Sequence, residues 1–176
     1  MKKQTATSAG TSINSKKLPA IYGKLAVEYL TGYVLDYGCG KYTDHIRYHV
    51  ESKGYAHYLP YDPYNQTHDT NLDSKAAALA HREKTVAVCS NVLNVIDSDD
   101  AIVAAILDMA AMASTIHITV YEGDRTGKGK YTSDDSYQRS MRLKDYMPLI
   151  EKAGFRFCSF LEKGMITISC PSWRAC

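Results

Sequence analysis

No apolar run in the sequence approaches the ~20 residues that a membrane-spanning helix needs, which excludes a helical integral membrane protein. Net charge is also nearly absent: 21 Lys and Arg stand against 19 Asp and Glu, a formal +2. That balance excludes a strongly basic nucleic-acid coat and leaves room only for local basic patches. Cysteine is scarce. Its five copies (Cys39, Cys89, Cys158, Cys170, Cys176) make an odd count with no close spacing, so neither a disulfide framework nor a zinc ribbon fits. The six histidines show no metal-ligand spacing either; His45 and His49 lie four apart, but no third ligand is near them in sequence. Residues 1–17 hold Lys, Thr, Ser and Gly without an apolar segment, so they do not read as a secretory signal. They are expected to be a flexible basic leader to a single domain over residues 18–176, in a reduced, cytoplasmic protein without metal. Phenylalanine is nearly missing too, at 3 copies against 14 tyrosines, ten of them between Tyr22 and Tyr64. A wet apolar cleft favours Tyr, whose ring packs while its hydroxyl stays solvated. A compositional habit of the source would give the same count.

What is present is globular: 176 residues, 45% hydrophobic and 23% charged, enough for one well-buried core. Helical spacing of Ile21, Leu25 and Tyr29 predicts a helix over Pro19 to Leu30. A strand, Tyr33 to Tyr37, then runs into Gly38-Cys39-Gly40, and Thr43 or Asp44 should cap a helix ending at Lys53-Gly54. A strand at Ala56 to Tyr61 and an alanine-rich helix opened by Asp73-Ser74 follow. Next come a buried strand at Thr85 to Ser90, a helix begun by Ser98-Asp99-Asp100 and a strand at Thr115 to Tyr121. Glu122 to Ser136 reads as a polar covering loop and Leu143 to Ala153 as a helix. Two strands joined by Glu162-Lys163-Gly164 close the chain as a hairpin. Alternating strands and helices predict an α/β fold. It should be a Rossmann-like three-layer sandwich with a mostly parallel sheet and a C-terminal antiparallel hairpin. Ligands in such sheets bind beyond the carboxyl ends of the strands.

Two of those strand ends carry chemistry. In Asp36-Tyr37-Gly38-Cys39-Gly40, the glycines allow a sharp turn and close approach of a ligand to the backbone. The helix that follows offers its N-terminal amides to an anion. Asp62 lies 26 residues beyond Asp36, where a carboxylate can accept hydrogen bonds from both hydroxyls of an adenosine ribose. A dinucleotide fingerprint would require a third glycine where Thr43 stands.

On these residues the chain resembles the class I S-adenosylmethionine-dependent methyltransferases over roughly residues 20–170. Val34 to Gly40 looks like their first motif, and Asp62 stands where their ribose-binding acid stands. It is similar more closely to small methyltransferase-like proteins associated with DNA phosphorothioation and to their phage relatives. That similarity rests on Asp36 to Gly40, Asp62-Pro63, Asn91 to Asp97, Thr132 to Gln138 and the leader before Leu18-Pro19. The third glycine of the first motif is Tyr42 here, which bears on the methionine end of the pocket. The resemblance implies S-adenosylmethionine as cofactor, held by Asp36, Tyr37, Gly38, Cys39, Gly40, Asp44, Asp62, Pro63, Ser90 and Asn91.

The acceptor side is less defined. Asp62-Pro63-Tyr64 superficially resembles the Asp/Asn-Pro-Pro-aromatic motif of amino-methylating DNA enzymes, but it lies at the wrong strand end and lacks the second proline. Cys89 follows Val88 inside an apolar strand and reads as a small buried hydrophobe rather than a nucleophile. Asn91, Asn94 and Tyr137 are the candidate catalytic residues; Tyr137, Gln138 and Arg139 are the candidate substrate contacts. Basic and aromatic residues alternate from Arg125 to Arg142, which suits a nucleic-acid base or nucleotide, while a solvated charged loop has the same composition. The competing class is a non-catalytic S-adenosylmethionine-binding protein, or a partner in DNA modification or anti-restriction.

Overall fold

Strand β1 (Gly32–Tyr37) is apolar on both faces, and each face meets a different helical layer. The computed structural model describes residues 16–25, 30–54, 56–134, 136–156 and 159–171; the expected leader lies almost wholly outside them. In chain order the elements after β1 are α1 (Asp44–Gly54), β2 (Ala56–Tyr61), α2 (His68–Ala80), β3 (Thr85–Ser90) and α3 (Asp99–Met112). They continue with β4 (Thr115–Thr119), β5 (Gly129–Ser133), β6 (Ser136–Arg139), α4 (Met147–Lys152), β7 (Ser159–Glu162) and β8 (Met165–Ser169).

The main sheet has the order β2-β1-β3-β4-β8-β7. Its first four strands are parallel, and β8 runs antiparallel to both β4 and β7. This is the α/β three-layer arrangement with a C-terminal hairpin. Val34 of β1 and Val88 of β3 share a buried cluster with Ile46 and Val50 of α1. Leu35, Ala87 and Cys89 face the other way, among Ala78 of α2, Ile102 and Ile106 of α3 and Ile150 of α4. The period-two alternation of the strands therefore feeds both layers at once. β2 lies at the sheet edge, which is why Pro60 is tolerated within it.

Four local readings change. The described part of the first helix is a single 3-10 turn, Ala20–Gly23, in which Tyr22 N–H bonds Pro19 O and Lys24 N–H bonds Ile21 O. Gly23 disfavours continuation, and residues 26–29 lie outside those described. Helix α2 starts at His68, where the Thr67 hydroxyl accepts the Thr70 N–H. Ser74 is instead an interior residue, its hydroxyl donating to Pro60 O at 2.7 Å. The last helix is split into a 3-10 turn, Leu143–Tyr146, and α4, because Pro148 cannot donate into a continuous ladder. Finally, Glu122 to Ser136 is only partly a loop. Gly129–Ser133 pairs with Ser136–Arg139 as a separate antiparallel ribbon whose register shifts between Tyr131 and Ser133.

Candidate functional site

The chain leaves β1 toward β2 on one side and returns across to β3 on the other, so the β1/β3 boundary is the topological switch point of the sheet. Two loops frame it. After β1, Gly38 and Gly40 have φ of 78° and 73°, and the Gly38 N–H donates to Tyr61 O at 2.7 Å, tying the turn to the end of β2. After β3, Asn91 takes φ 58°, a left-handed conformation that asparagine tolerates, and its N–H bonds Thr119 O. Asn94 follows in a short 3-10 turn, buried, with its Nδ2 donating to Gln138 Oε1 of β6 at 3.4 Å.

A cavity of about 400 Å³ lies between these loops. It is lined by Asp36, Gly38, Cys39 and Gly40 from the first loop, Ser90, Asn91 and Asn94 from the second, and Gln138 from the ribbon. At its floor the Asp36 carboxylate is only 3% exposed and accepts the Tyr58 hydroxyl at 2.7 Å. Burial pushes Asp36 up to about 6, against the Tyr58 and Tyr22 hydroxyls, which favour the charged form; the nearby Asp62 charge adds to the rise. Two further polar atoms of lining residues, His45 Nε2 and Asn94 Oδ1, are buried without a hydrogen-bond partner among the described residues. Unpartnered buried groups are costly in an apolar surround, and a bound polar ligand would relieve them.

No protein-family model and no curated protein matches the chain. Among solved structures it is similar to a Burkholderia thailandensis 1,6-didemethyltoxoflavin-N1-methyltransferase with bound 1,6-didemethyltoxoflavin and S-adenosylhomocysteine. The TM-score is 0.60 at 16% identity, over 87% of this chain and 77% of that one. It is also similar to an O-methyltransferase family protein from Burkholderia thailandensis, with a TM-score of 0.51 at 13% identity. That match covers 88% of this chain and spans 55% of the other. The likeness is one of fold.

Several residues singled out from the sequence lie outside the cavity lining. Asp62 is buried beneath the glycine turn, where its carboxylate takes four donors. Oδ2 accepts from Gly40 N at 3.0 Å and Asn65 Nδ2 at 3.1 Å, and Oδ1 accepts from Tyr64 N at 2.9 Å and Asn65 N at 3.1 Å. Four donors match the capacity of a carboxylate, so Asp62 braces the turn in this structure. Tyr37 faces the opposite layer, its hydroxyl on Asp108 Oδ2. Asp44 is exposed at the start of α1, and Pro63 is exposed in the loop after β2. Tyr137 points away from Gln138, as neighbours on a strand do; its ring covers Gly129 and meets Tyr131 edge-on at 5.2 Å. Arg139 is a strut from the ribbon to α3, on Asp99 Oδ1 at 2.7 Å.

Gly38, which lines the cavity, also has a packing role. A Cβ there would stand 2.3 Å from Val92 Cγ2, so the glycine serves the packing of one loop on the other as well as the turn. Neither cysteine nearby is poised for attack: burial drives the Cys39 thiol far up and the Cys89 thiol up to about 12.

The cavity also has walls that sequence reasoning missed. Lys17, Leu18 and Pro19 line it, as do Tyr42, His45 and Tyr121. Tyr42 had a signal, as the residue in the third glycine's place. Tyr121 had one too, as an aromatic at a strand's carboxyl end. Nothing in the sequence brings Lys17 to Pro19 to this site.

Proposed function

We propose that the chain binds S-adenosylmethionine in the cavity at the β1/β3 switch point and transfers its methyl group to an acceptor presented beside Tyr121 and Gln138. One observation carries this: a single cavity joins the Asp-x-Gly-x-Gly turn to Ser90, Asn91 and Asn94, across 50 residues of chain and at the ligand-binding end of a parallel sheet. Its volume falls within the range of small-molecule sites, roughly 300–1,000 Å³. The fold likeness to a methyltransferase solved with S-adenosylhomocysteine supports the same reading.

The bound cofactor supplies an already activated methyl group on its sulfonium. The chain's residues then have to bind and orient. Gly38 and Gly40 keep the turn free of side chains, while Asp62 and Gln66 fasten it, the latter through Nε2 to Gly40 O at 2.6 Å. Ionised Asp36 places one buried negative charge under the site, suited to a cationic ligand. Asn94 Oδ1 remains as an acceptor for an N–H donor. Alignment of this kind can account for a large rate effect without acid or base.

A second reading, binding without turnover, is favoured by one specific feature. The two polar side chains linked to the Tyr121 carbonyl, Gln138 and through it Asn94, are amides and cannot take up a proton. Such a protein would act as a cofactor-binding partner in DNA modification or anti-restriction.

Ultraviolet cross-linking with methyl-labelled S-adenosylmethionine tests the site directly. Label should fall on the loop peptides around residues 36–42 or 90–95 and disappear when S-adenosylhomocysteine competes. Label elsewhere, or label unaffected by the competitor, would refute the placement.

A further inference from the structure

Beside the cofactor cavity lies a second, more open one of about 1,000 Å³, and Tyr121 lines both. Its charge is one-sided: Lys24, Arg125, Arg142 and Lys144 line it against the single carboxylate of Glu122. That carboxylate is already engaged. Glu122 Oε1 accepts the Leu143 N–H at 2.8 Å, and Oε2 pairs with Arg125 Nε at 2.7 Å. The Leu143 amide and the charges of Arg125 and Arg142 hold Glu122 below the usual carboxylate range, so it stays ionised and pairs directly with Arg125. Lys24 Nζ is positioned by Gly164 O at 3.2 Å, a neutral partner. The side chains of Arg142 and Lys144 make neither an ion pair nor a hydrogen bond among the described residues. Four cations thus face a concavity that holds one carboxylate, an excess of three positive charges.

Phosphate oxygens are the natural partners of such a group, because charge-assisted hydrogen bonds to Arg and Lys are the strong ones. Between the cations and the cofactor cavity stands Tyr121, 61% exposed, a ring free to stack on a flat heterocycle. Its carbonyl accepts Gln138 Nε2, which links it to the Gln138–Asn94 amide pair and the unpartnered Asn94 Oδ1. Cations, aromatic platform and amide edge therefore follow one another in the order phosphate, ring, ring edge. A polynucleotide would need a continuing basic track, but the neighbouring Lys128 and Lys130 are exposed on the ribbon outside the cavity.

We propose that the basic cavity holds the phosphate of a nucleoside monophosphate whose base lies on Tyr121, so that this nucleotide is the methyl acceptor. The proposal rests on the cofactor reading above for the acceptor role and on the cavity alone for the phosphate site.

The test is calorimetric titration of the chain, saturated with S-adenosylhomocysteine, with the common nucleoside 5′-monophosphates and the matching nucleosides. At least one monophosphate should bind roughly tenfold or more tightly than its nucleoside, the scale of a charged hydrogen bond. The advantage should shrink as salt is raised. It should vanish in the double variant Arg142→Ala, Lys144→Ala, whose affinity for S-adenosylhomocysteine stays at the parent value. Equal binding of nucleosides and monophosphates, or an advantage that survives in the double variant, would overturn the proposal. So would an oligonucleotide that binds far more tightly than any monophosphate. Failure of S-adenosylhomocysteine to bind, with the phosphate advantage intact, would sink the methyl-transfer reading while supporting the anion site.

Discussion

Replacing Asp36 with Asn should stabilise the protein and weaken its ligand binding at the same time. The carboxyl is buried, and its rise from an ordinary 3.8 to about 6 means that the folded state holds its charged form at a disadvantage. That shift corresponds to about 3 kcal/mol once both folded and unfolded forms are ionised. The sign follows from proton uptake. Between 3.8 and about 6 the folded chain binds more protons than the unfolded one, so this group lowers stability as pH rises through that window. Asn keeps the shape and can still accept the Tyr58 hydroxyl, but carries no charge. Asp36→Asn should therefore gain up to about 3 kcal/mol at pH 8, and only about half of that at pH 5, where the parent is largely protonated. Urea unfolding of both proteins at the two pH values measures the difference. The same variant should bind S-adenosylmethionine less tightly, and the parent's affinity should fall as pH drops through about 6. A variant less stable than the parent at pH 8, or an advantage independent of pH, would refute the account of a penalised buried charge.

Asp62→Ala should cost about 3 kcal/mol of stability, since it strands three backbone N–H groups and an amide; an unchanged urea midpoint would show that the brace is dispensable. Gly38→Ala should destabilise by about 2 kcal/mol or more, through the positive φ and the collision with Val92, and Val92→Ala should restore part of the loss. If Gly38→Ala melts like the parent, the two loops do not pack as described. Tyr137→Ala should lower the melting temperature through loss of the ribbon's ring contact while leaving S-adenosylhomocysteine affinity within a factor of a few; selective loss of ligand would return Tyr137 to the site.

The sheet was legible because its strands are short apolar runs ending in recognisable turns, and because Ser98-Asp99-Asp100 carries an unambiguous helix start. The convergence of Asp36 to Gly40 and Ser90 to Asn94 on one cavity was legible in the same way, since both lie at strand ends that topology alone brings together. Less visible was what depends on tertiary partners. Asp62 sits at the expected strand end, yet its oxygens are taken up by amides whose positions no local pattern encodes. Ser74 looked like a cap and proved to be a packing contact to Pro60, while the true cap, Thr67, was hidden in a polar loop. The ribbon was missed because Gly129 to Ser133 is polar throughout and exposed, so it lacks the apolar alternation that marks a half-buried strand. Of its predicted contacts, Gln138 reaches the cavity and Tyr137 does not, because adjacent strand residues face opposite ways.

The most direct measurement is calorimetric titration of the parent chain with S-adenosylhomocysteine, the demethylated product, alongside S-adenosylmethionine. One site per chain is expected for each ligand. Asp36→Asn should lose affinity for both, while the double variant Arg142→Ala, Lys144→Ala should keep it. Absence of binding by both ligands to the folded parent would contradict the central claim that the β1/β3 cavity is a methyl-donor site.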